Sequence, residues 1–477
     1  MKTKKVIILQ VLLVTIFVGT YIAGSRTTTS TLTVLRVPRS VEVESRQDSV
    51  PQSKPRILNN ATNGQESKKW APYVYSSCDS TWMPAHFAPC IKERMNQGSS
   101  CSLNPTAPCI AEAEELIFPD FEIREPGFHN ATYRNYWVSS VTDPRRDFHG
   151  RMHWVHNGWA RYSGQFGQNF ILTNAGYEAT PLADSWSAGA CMAWDTDFSA
   201  MLRPVANGAA KKVRKALFAA SPDSWSFQHF LDRTTHLAIQ AGEHIDTDTY
   251  VVSGAKQRQE PVKEMWNLAF GVKADHLVSS PITAETLIFP CRSVLIHPYF
   301  QIRFAELMGV ARTRPMSERK VVLYLSRNQD NTLNGGRRIV NEDALLSAVT
   351  KLVEERQQGE ELVIYDHRKF STMQEVVSFW SSVRAVFGPH GSAFHNHWFA
   401  PKNTMLIEFV PRDRFQILWW EQSALLGQTY WPFALASENA QHDMKVPVDA
   451  VVSILRENLG KIPEPVLRKY YPWDTGY

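Results

Sequence analysis

Val383-Arg384-Ala385-Val386-Phe387-Gly388-Pro389-His390-Gly391-Ser392-Ala393-Phe394 is the stretch that decides the fold. Its apolar beginning, Val383 to Phe387, reads as a buried strand, and Thr404 to Val410 reads as the next one. Two glycines bracket Pro389 and His390 and lead into a short helix. At the carboxyl end of a strand, such a turn leaves backbone N–H groups bare for a phosphate. The C-terminal third is therefore expected to hold a nucleotide-handling site.

Working back from this turn, Lys320 to Ser326 (KVVLYLS) predicts a strand. Asn341-Glu342-Asp343 supplies an N-cap and first-turn acids for a helix to about Gln357, ended by Gly359. Glu361 to Tyr365 predicts another strand, and Ser371 with Gln374 suggests a capping box before Val376, Val377 and Trp380. Alternation of strand and helix specifies a parallel sheet with ligands beyond the strands' carboxyl ends. Arg327, His390 and the turn after Tyr365 should share that edge.

The 477 residues suffice for two or three domains. With 43% hydrophobic and 21% charged residues the composition is globular, and a net charge of +4 argues against a dedicated nucleic-acid binder. Lys2, Lys4 and Lys5 precede an uncharged run, Val6 to Gly24, about as long as a bilayer core is thick. We read 1–5 as a cytoplasmic tail and 6–24 as an uncleaved signal anchor in preference to a cleaved signal peptide. Residues 25–69, rich in Ser, Thr, Asn and Gln, read as a flexible stem.

A lumenal fate fits the acceptor triplets at Asn60 and Asn130 and the even count of six cysteines. Cys78, Cys90, Cys101 and Cys109 crowd one stretch, with spacing too irregular for a zinc site, so disulfides of open connectivity are expected. Residues 70–310 are punctuated by Gly, Pro and Asn and show no long clean helix before Asp223. They read as irregular α/β, with Trp154, Trp159, Trp186 and Trp194 available for a sugar acceptor.

No P-loop, H-E-x-x-H or G-x-S-x-G is present, which removes the main support for kinase, zinc protease and lipase readings. Arg327 and Arg337 could grip a diphosphate, or Arg337 and Arg338 could pair with Glu342 and Asp343. His390 is a donor to phosphate or sugar, or a turn residue bonded to backbone. Glu408 lies in an apolar run and needs a partner: a sugar hydroxyl, an arginine or backbone. His229 and Asp232 share a helical face, and either could be a general base, or they could simply bond each other. Asp195-Thr196-Asp197 and Asp246-Thr247-Asp248 are possible ligands of a divalent ion, though such triplets are common in loops.

Together these segments resemble glycosyltransferase family 61 from roughly Ser226 to Pro411. The most specific run is GPHGSAFHNHWFAPKNTMLIEFVP, supported by Arg327, by RRIVNE from Arg337 to Glu342, and by His229-Phe230-Leu231-Asp232. Ser392-Ala393 stands where the family usually has Ala-Gly, and the segment Asn328 to Gly336 widens the arginine spacing. The resemblance implies a GT-B-like α/β fold, two Rossmann-like domains (70–310 and 311–477) facing a cleft, behind the membrane helix and stem. It implies an inverting transfer from a UDP-sugar donor to a glycan or glycoprotein acceptor, with no required metal. Asp232 or His229 would be catalytic; Arg327, Arg337, Asn341, Gly388, His390, Gly391, Ser392 and Glu408 would bind the nucleotide sugar. Xylose is the first donor and N-acetylglucosamine, in an endoplasmic reticulum O-GlcNAc transferase, the second. A Golgi type II membrane protein is expected, with the endoplasmic reticulum as second choice. A tethered lectin that has lost catalysis and a sulfotransferase are the rivals from other classes.

Overall fold

The computed structural model describes residues 56–57, 73–75, 109–118, 121–143, 145, 154–156, 159–162, 165–177, 210–219, 221, 224–253, 259–278, 282–291, 296–328, 335–462 and 467–468. The expected membrane anchor at 6–24, Asn60, the Asp195-Thr196-Asp197 triplet, Trp186 and Trp194 lie outside these residues. Among the described residues no helix is long and apolar enough to cross a membrane.

Among the described residues seventeen strands form three sheets. The first has eight strands in the order β1-β2-β3-β7-β11-β8-β9-β10. They are β1 (Arg56–Ile57), β2 (Tyr73–Tyr75), β3 (Cys109–Phe118), β7 (Gln165–Tyr177), β8 (Lys211–Phe218), β9 (Tyr250–Val252), β10 (Leu277–Val278) and β11 (Ile282–Cys291). Pairing is antiparallel from β1 through β11 and parallel among β11, β8, β9 and β10. A second sheet, antiparallel, joins β4 (Phe121–Arg124), β5 (Trp154–His156), β6 (Trp159–Tyr162) and β17 (Leu467–Arg468) in the order β17-β4-β6-β5.

Two expectations for this half need correction. The supposed stem contributes β1, which pairs with β2 and so covers a sheet edge that would otherwise expose unpaired backbone groups. A helix does precede Asp223: Ala131–Val141, whose N-cap is Asn130, with its side chain accepting from the amides of Thr132 and Tyr133. Its sequence, ATYRNYWVSSV, carries no aliphatic stripe. The helix is held instead by aromatic contacts to the C-terminal third, Tyr133 with Phe433 and Trp137 with Trp420.

The third sheet is the one anticipated. Its strands are β12 (Val321–Tyr324), β13 (Glu361–Ile364), β14 (Val383–Pro389), β15 (Met405–Pro411) and β16 (Thr429–Leu435), all parallel, in the order β13-β12-β14-β15-β16. Alternate residues face opposite layers, as strand geometry requires. Val322, Tyr324, Ala385, Phe387, Ile407 and Phe409 pack with Val349, Leu352, Val451 and Ile454 of the helices Glu342–Arg356 and Val448–Asn458. Leu323, Val386, Leu406 and Val410 face the helices Met373–Trp380 and Leu418–Leu425. This second layer is one core with Phe118, Phe230 and Trp266 of the first half. Each large apolar side chain so buried contributes about 1.5–3 kcal/mol, which fixes the strand ends that carry the site.

Local signals moved slightly. The capping box is formed by Thr372 and Glu375, not Ser371 and Gln374. Gln357, in the left-handed conformation, ends the long helix ahead of Gly359. Cys109 is disulfide-bonded, and no free cysteine occurs among the described residues.

Candidate active site

At the carboxyl end of β14, His390 donates its amide to the carbonyl of Phe409, locking the turn to β15. Gly388 allows this close approach: a Cβ there would lie 2.6 Å from the Leu325 carbonyl oxygen. Gly391 then caps a 3₁₀ helix, Ser392–Phe399. The amides of Gly391, Ser392 and Ala393 meet no acceptor among the described residues, and Ser392 is exposed. Bare amides at a helix start form a ready cradle for an anion.

Arg327 stands over this cradle, and Arg337 and Arg414 are close enough to Arg327 to act on its charge. Arg327 donates from Nε to the Gly336 carbonyl at 2.9 Å, and its Nη1 lies 2.9 Å from where a Gly391 Cβ would be. Burial, and then the like charges of Arg337 and Arg414, push Arg327 down to about 10, so it stays cationic. Arg337 is lowered by burial and by Arg414, against a favourable contribution from Glu408. Its Nε is buried without a hydrogen-bond partner. Such an unsatisfied donor costs about 1–3 kcal/mol, which a bound anion would recover. The backbone holds Arg337 there in a left-handed conformation (φ 59°), with its amide donating to Gln441 at 2.8 Å. Among the described residues no ion pair joins Arg337 or Arg338 to Glu342 or Asp343, and Glu342 accepts from the Ser326 hydroxyl at 2.7 Å.

Two of the expected nucleotide-sugar ligands have other partners. The Asn341 side-chain amide exchanges two 2.9 Å hydrogen bonds with the Val446 backbone, and makes no cap bond to its own helix. Glu408 is fully buried, 0% exposed, and both its oxygens are taken. One faces His390 Nδ1 at 2.5 Å and the other accepts from the Tyr430 hydroxyl. The carboxylate thus reaches the site only through the histidine. Burial, helped by the adjacent Glu408 charge, pushes the Tyr430 phenol up.

The first half enters through Asp232. The expected single helix is divided into Phe227–His229, a π turn Phe230–Thr234 and Thr235–Ala241, an irregularity frequent at functional sites. His229 Nδ1 and Asp232 Oδ1 are 3.3 Å apart, and His395 Nε2 lies 3.6 Å from Asp232 Oδ2. Burial raises the Asp232 carboxyl, but the hydrogen bond from His229 and the nearby His395 and His229 imidazoles prevail and hold it well below the usual carboxylate range. Burial lowers His395 itself. Trp419 connects the two groups of residues: its ring packs edge-on against His395 at 4.3 Å and lies 6.1 Å from His390, with Nε1 3.2 Å from His390 Nδ1.

The Asp246-Thr247-Asp248 carboxylates are engaged elsewhere, Asp246 with Lys215 at 2.5 Å and Asp248 with Arg214 at 3.0 Å. Among the described residues no three His, Cys, Asp or Glu side chains are arranged to hold a metal. Asn130 is an exposed helix cap.

Arg414, Trp419, Tyr430 and His395 were missed by sequence reading. Only Arg414 carried a signal, because it follows the carboxyl end of β15, where ligands of parallel sheets lie. A buried carboxylate with two imidazoles thus stands on one side of Trp419, and His390, next to the turn amides and Arg327, on the other.

No curated protein matches the chain. The model of the family described as Glycosyltransferase 61 matches residues 152–407, more than half of the sequence and most of the site just described. The chain is a glycosyltransferase and belongs to glycosyltransferase family 61.

Proposed function

We propose that the protein is an inverting, UDP-sugar-dependent glycosyltransferase of the secretory pathway, with xylose as the donor sugar and a glycan or glycoprotein as acceptor. In this reading residues 70–310 and 311–477 are two Rossmann-like domains of GT-B type facing a cleft, with the second holding the nucleotide. An N-terminal anchor at 6–24 would place the enzyme in the Golgi membrane as a type II protein. The observation that carries the proposal is the buried, unpartnered Nε of Arg337 beside Arg327 and the bare amides after Gly391. Cationic side chains and bare amides of this kind suit a diphosphate in charge and hydrogen-bonding capacity.

The acceptor hydroxyl attacks the anomeric carbon from the face opposite the diphosphate and loses its proton to a base. Asp232, drawn below its ordinary range, is a weak base. A carboxylate accepting from Nδ1–H leaves the other imidazole nitrogen as the lone-pair site. We therefore assign removal of the proton to the pair of His229 and Asp232, with the carboxylate orienting the ring. Arg327, Arg337 and the turn amides stabilise the departing diphosphate.

The experiment is release of UDP by the full-length protein from a panel of UDP-sugars with mixed glycan acceptors, alongside UDP binding by calorimetry. Release from UDP-xylose in preference to UDP-N-acetylglucosamine supports the reading. UDP binding without release from any donor would make the protein a binding module, and absence of UDP binding would sink the donor assignment.

A further inference from the structure

We propose that Glu408 and Tyr430 are positioning residues that hold His390 protonated on Nδ1, so that its Nε2 is offered to the site as an acceptor for a hydroxyl of the nucleotide sugar. This deepens the donor-site reading above and rests on it.

The His390 Nδ1 atom has two neighbours and can satisfy only one of them. It lies 2.5 Å from Glu408 Oε1 and 3.2 Å from Trp419 Nε1. Trp419 Nε1–H is a donor only, so a bond from it requires a bare Nδ1. Glu408 is a carboxylate with no exposure, and its other oxygen is already occupied by Tyr430 O–H. A buried charge of this kind is costly unless its lone pairs meet donors. The shorter distance and the charge both assign the Nδ1 proton to Glu408. The hydrogen bond at one ring nitrogen fixes the state of the other, so neutral His390 carries its lone pair on Nε2. The ring is 17% exposed, and no protein group among the described residues meets Nε2.

Arg327 lies against Gly391, next to His390, and Arg337 interacts electrostatically with Glu408, so cationic side chains are already at hand. A lone pair adds little to an anion's grip, but it does accept a hydroxyl. The strand register fixes the arrangement, since Gly388 pairs with Glu408 and Glu408 with Pro432, two residues beyond Tyr430.

The test is nitrogen NMR of full-length protein labelled at histidine, with the His390 signals assigned by their loss in His390→Asn. The wild type is expected to show the Nδ1–H tautomer. In Glu408→Gln, Tyr430 still donates to the side-chain oxygen, which turns the amide NH₂ toward Nδ1 and should flip the proton to Nε2. Calorimetry then reads function: Glu408→Gln weakens UDP-xylose by about tenfold, the loss of one hydrogen bond to a buried acceptor, and leaves pyrophosphate unchanged. Tyr430→Phe keeps the tautomer, with a smaller loss.

A wild-type ring protonated on Nε2, with Nδ1 accepting from Trp419, overturns the proposal even if Glu408→Gln does not fold. Equal weakening of UDP-xylose and pyrophosphate also overturns it, because His390 would then belong to the phosphate grip. If the wild type binds neither probe, the donor-site reading fails while the tautomer measurement still judges Glu408 and Tyr430.

Discussion

Arg327 occupies the space that a side chain at Gly391 would fill: its Nη1 is 2.9 Å from the ideal Cβ position. The glycine is therefore required by the arginine above it as well as by the turn. Arg327 is tethered at Nε to the Gly336 carbonyl, so a methyl at 391 displaces the guanidinium tip while the stem stays in place.

Gly391→Ala should therefore fold normally and lose donor affinity by about tenfold, the equivalent of one charge-assisted hydrogen bond. Gly388→Ala should behave in the opposite way. Its Cβ meets the Leu325 backbone at 2.6 Å, which cannot swing aside, so the melting temperature falls. Thermal melts and UDP calorimetry on both variants check the pair; normal UDP affinity in Gly391→Ala would separate Arg327 from the ligand.

Arg337 should show stability and function pulling apart. Its guanidinium is half-buried, lacks a partner at Nε and is repelled by Arg414. Removing such a charge is neutral or stabilising for the empty protein. Arg337→Ala should thus keep or raise the melting temperature without UDP and lower UDP affinity by about 10–100-fold. Arg414→Ala should lower it less and weaken its dependence on salt, since Arg414 is exposed. A fall in melting temperature for Arg337→Ala would mean that its donors are satisfied within the protein.

Acid should destabilise the enzyme before its carboxylates titrate. His236 is fully buried against Phe300 and Trp398, neither ring nitrogen has a hydrogen-bond partner, and burial lowers it to about 4. His397, bonded to Gln428, is lowered by burial to about 3. An unfolded histidine takes its proton near pH ~6.5. The unfolded state therefore binds more protons below that pH, and stability falls as the pH drops from about 6.5 toward 4. His236→Leu should flatten the fall in melting temperature between pH 6.5 and 4.5. An unchanged slope would mean that His236 is already charged in the folded protein.

The C-terminal sheet was legible because parallel strands covered on both faces read as unbroken apolar runs; β12, β14 and β15 lie within a residue or two of where the sequence put them. The first half was not legible, for an equally physical reason. Strands β3 and β7 carry Glu114 and Asn169, polar residues that resemble surface or turn, yet both are buried and bonded to each other at 3.2 Å. The Asn169 side-chain amide also donates to the Gln240 backbone at 2.9 Å. The same limit applied at the site. Arg327, Arg337 and His390 were found by their place after strand ends, and Glu408 by being a carboxylate in an apolar run. Its partner Tyr430 lies on a strand whose alternation is broken by Trp431-Pro432, while Trp419 and His395 join the site by tertiary packing alone.

The division of labour between His229 and Asp232 can be measured. If His229 takes the acceptor's proton, His229→Gln should lower kcat by about 10²–10⁴-fold and leave UDP affinity intact, because His395 and Trp419 stand between this pair and His390. Asp232→Asn should also be slow, since an amide no longer selects the Nδ1–H tautomer of His229. It should additionally lose stability, because the ionised carboxylate, held below its ordinary range, favours the folded state at every pH above the unfolded value near ~4. The deciding comparison is rescue: added imidazole should restore part of the activity of His229→Gly and none of that of Asp232→Asn. If His229→Gln retains near-normal kcat while Asp232→Asn is inactive, the carboxylate itself is the base, and the two imidazoles serve only to hold it.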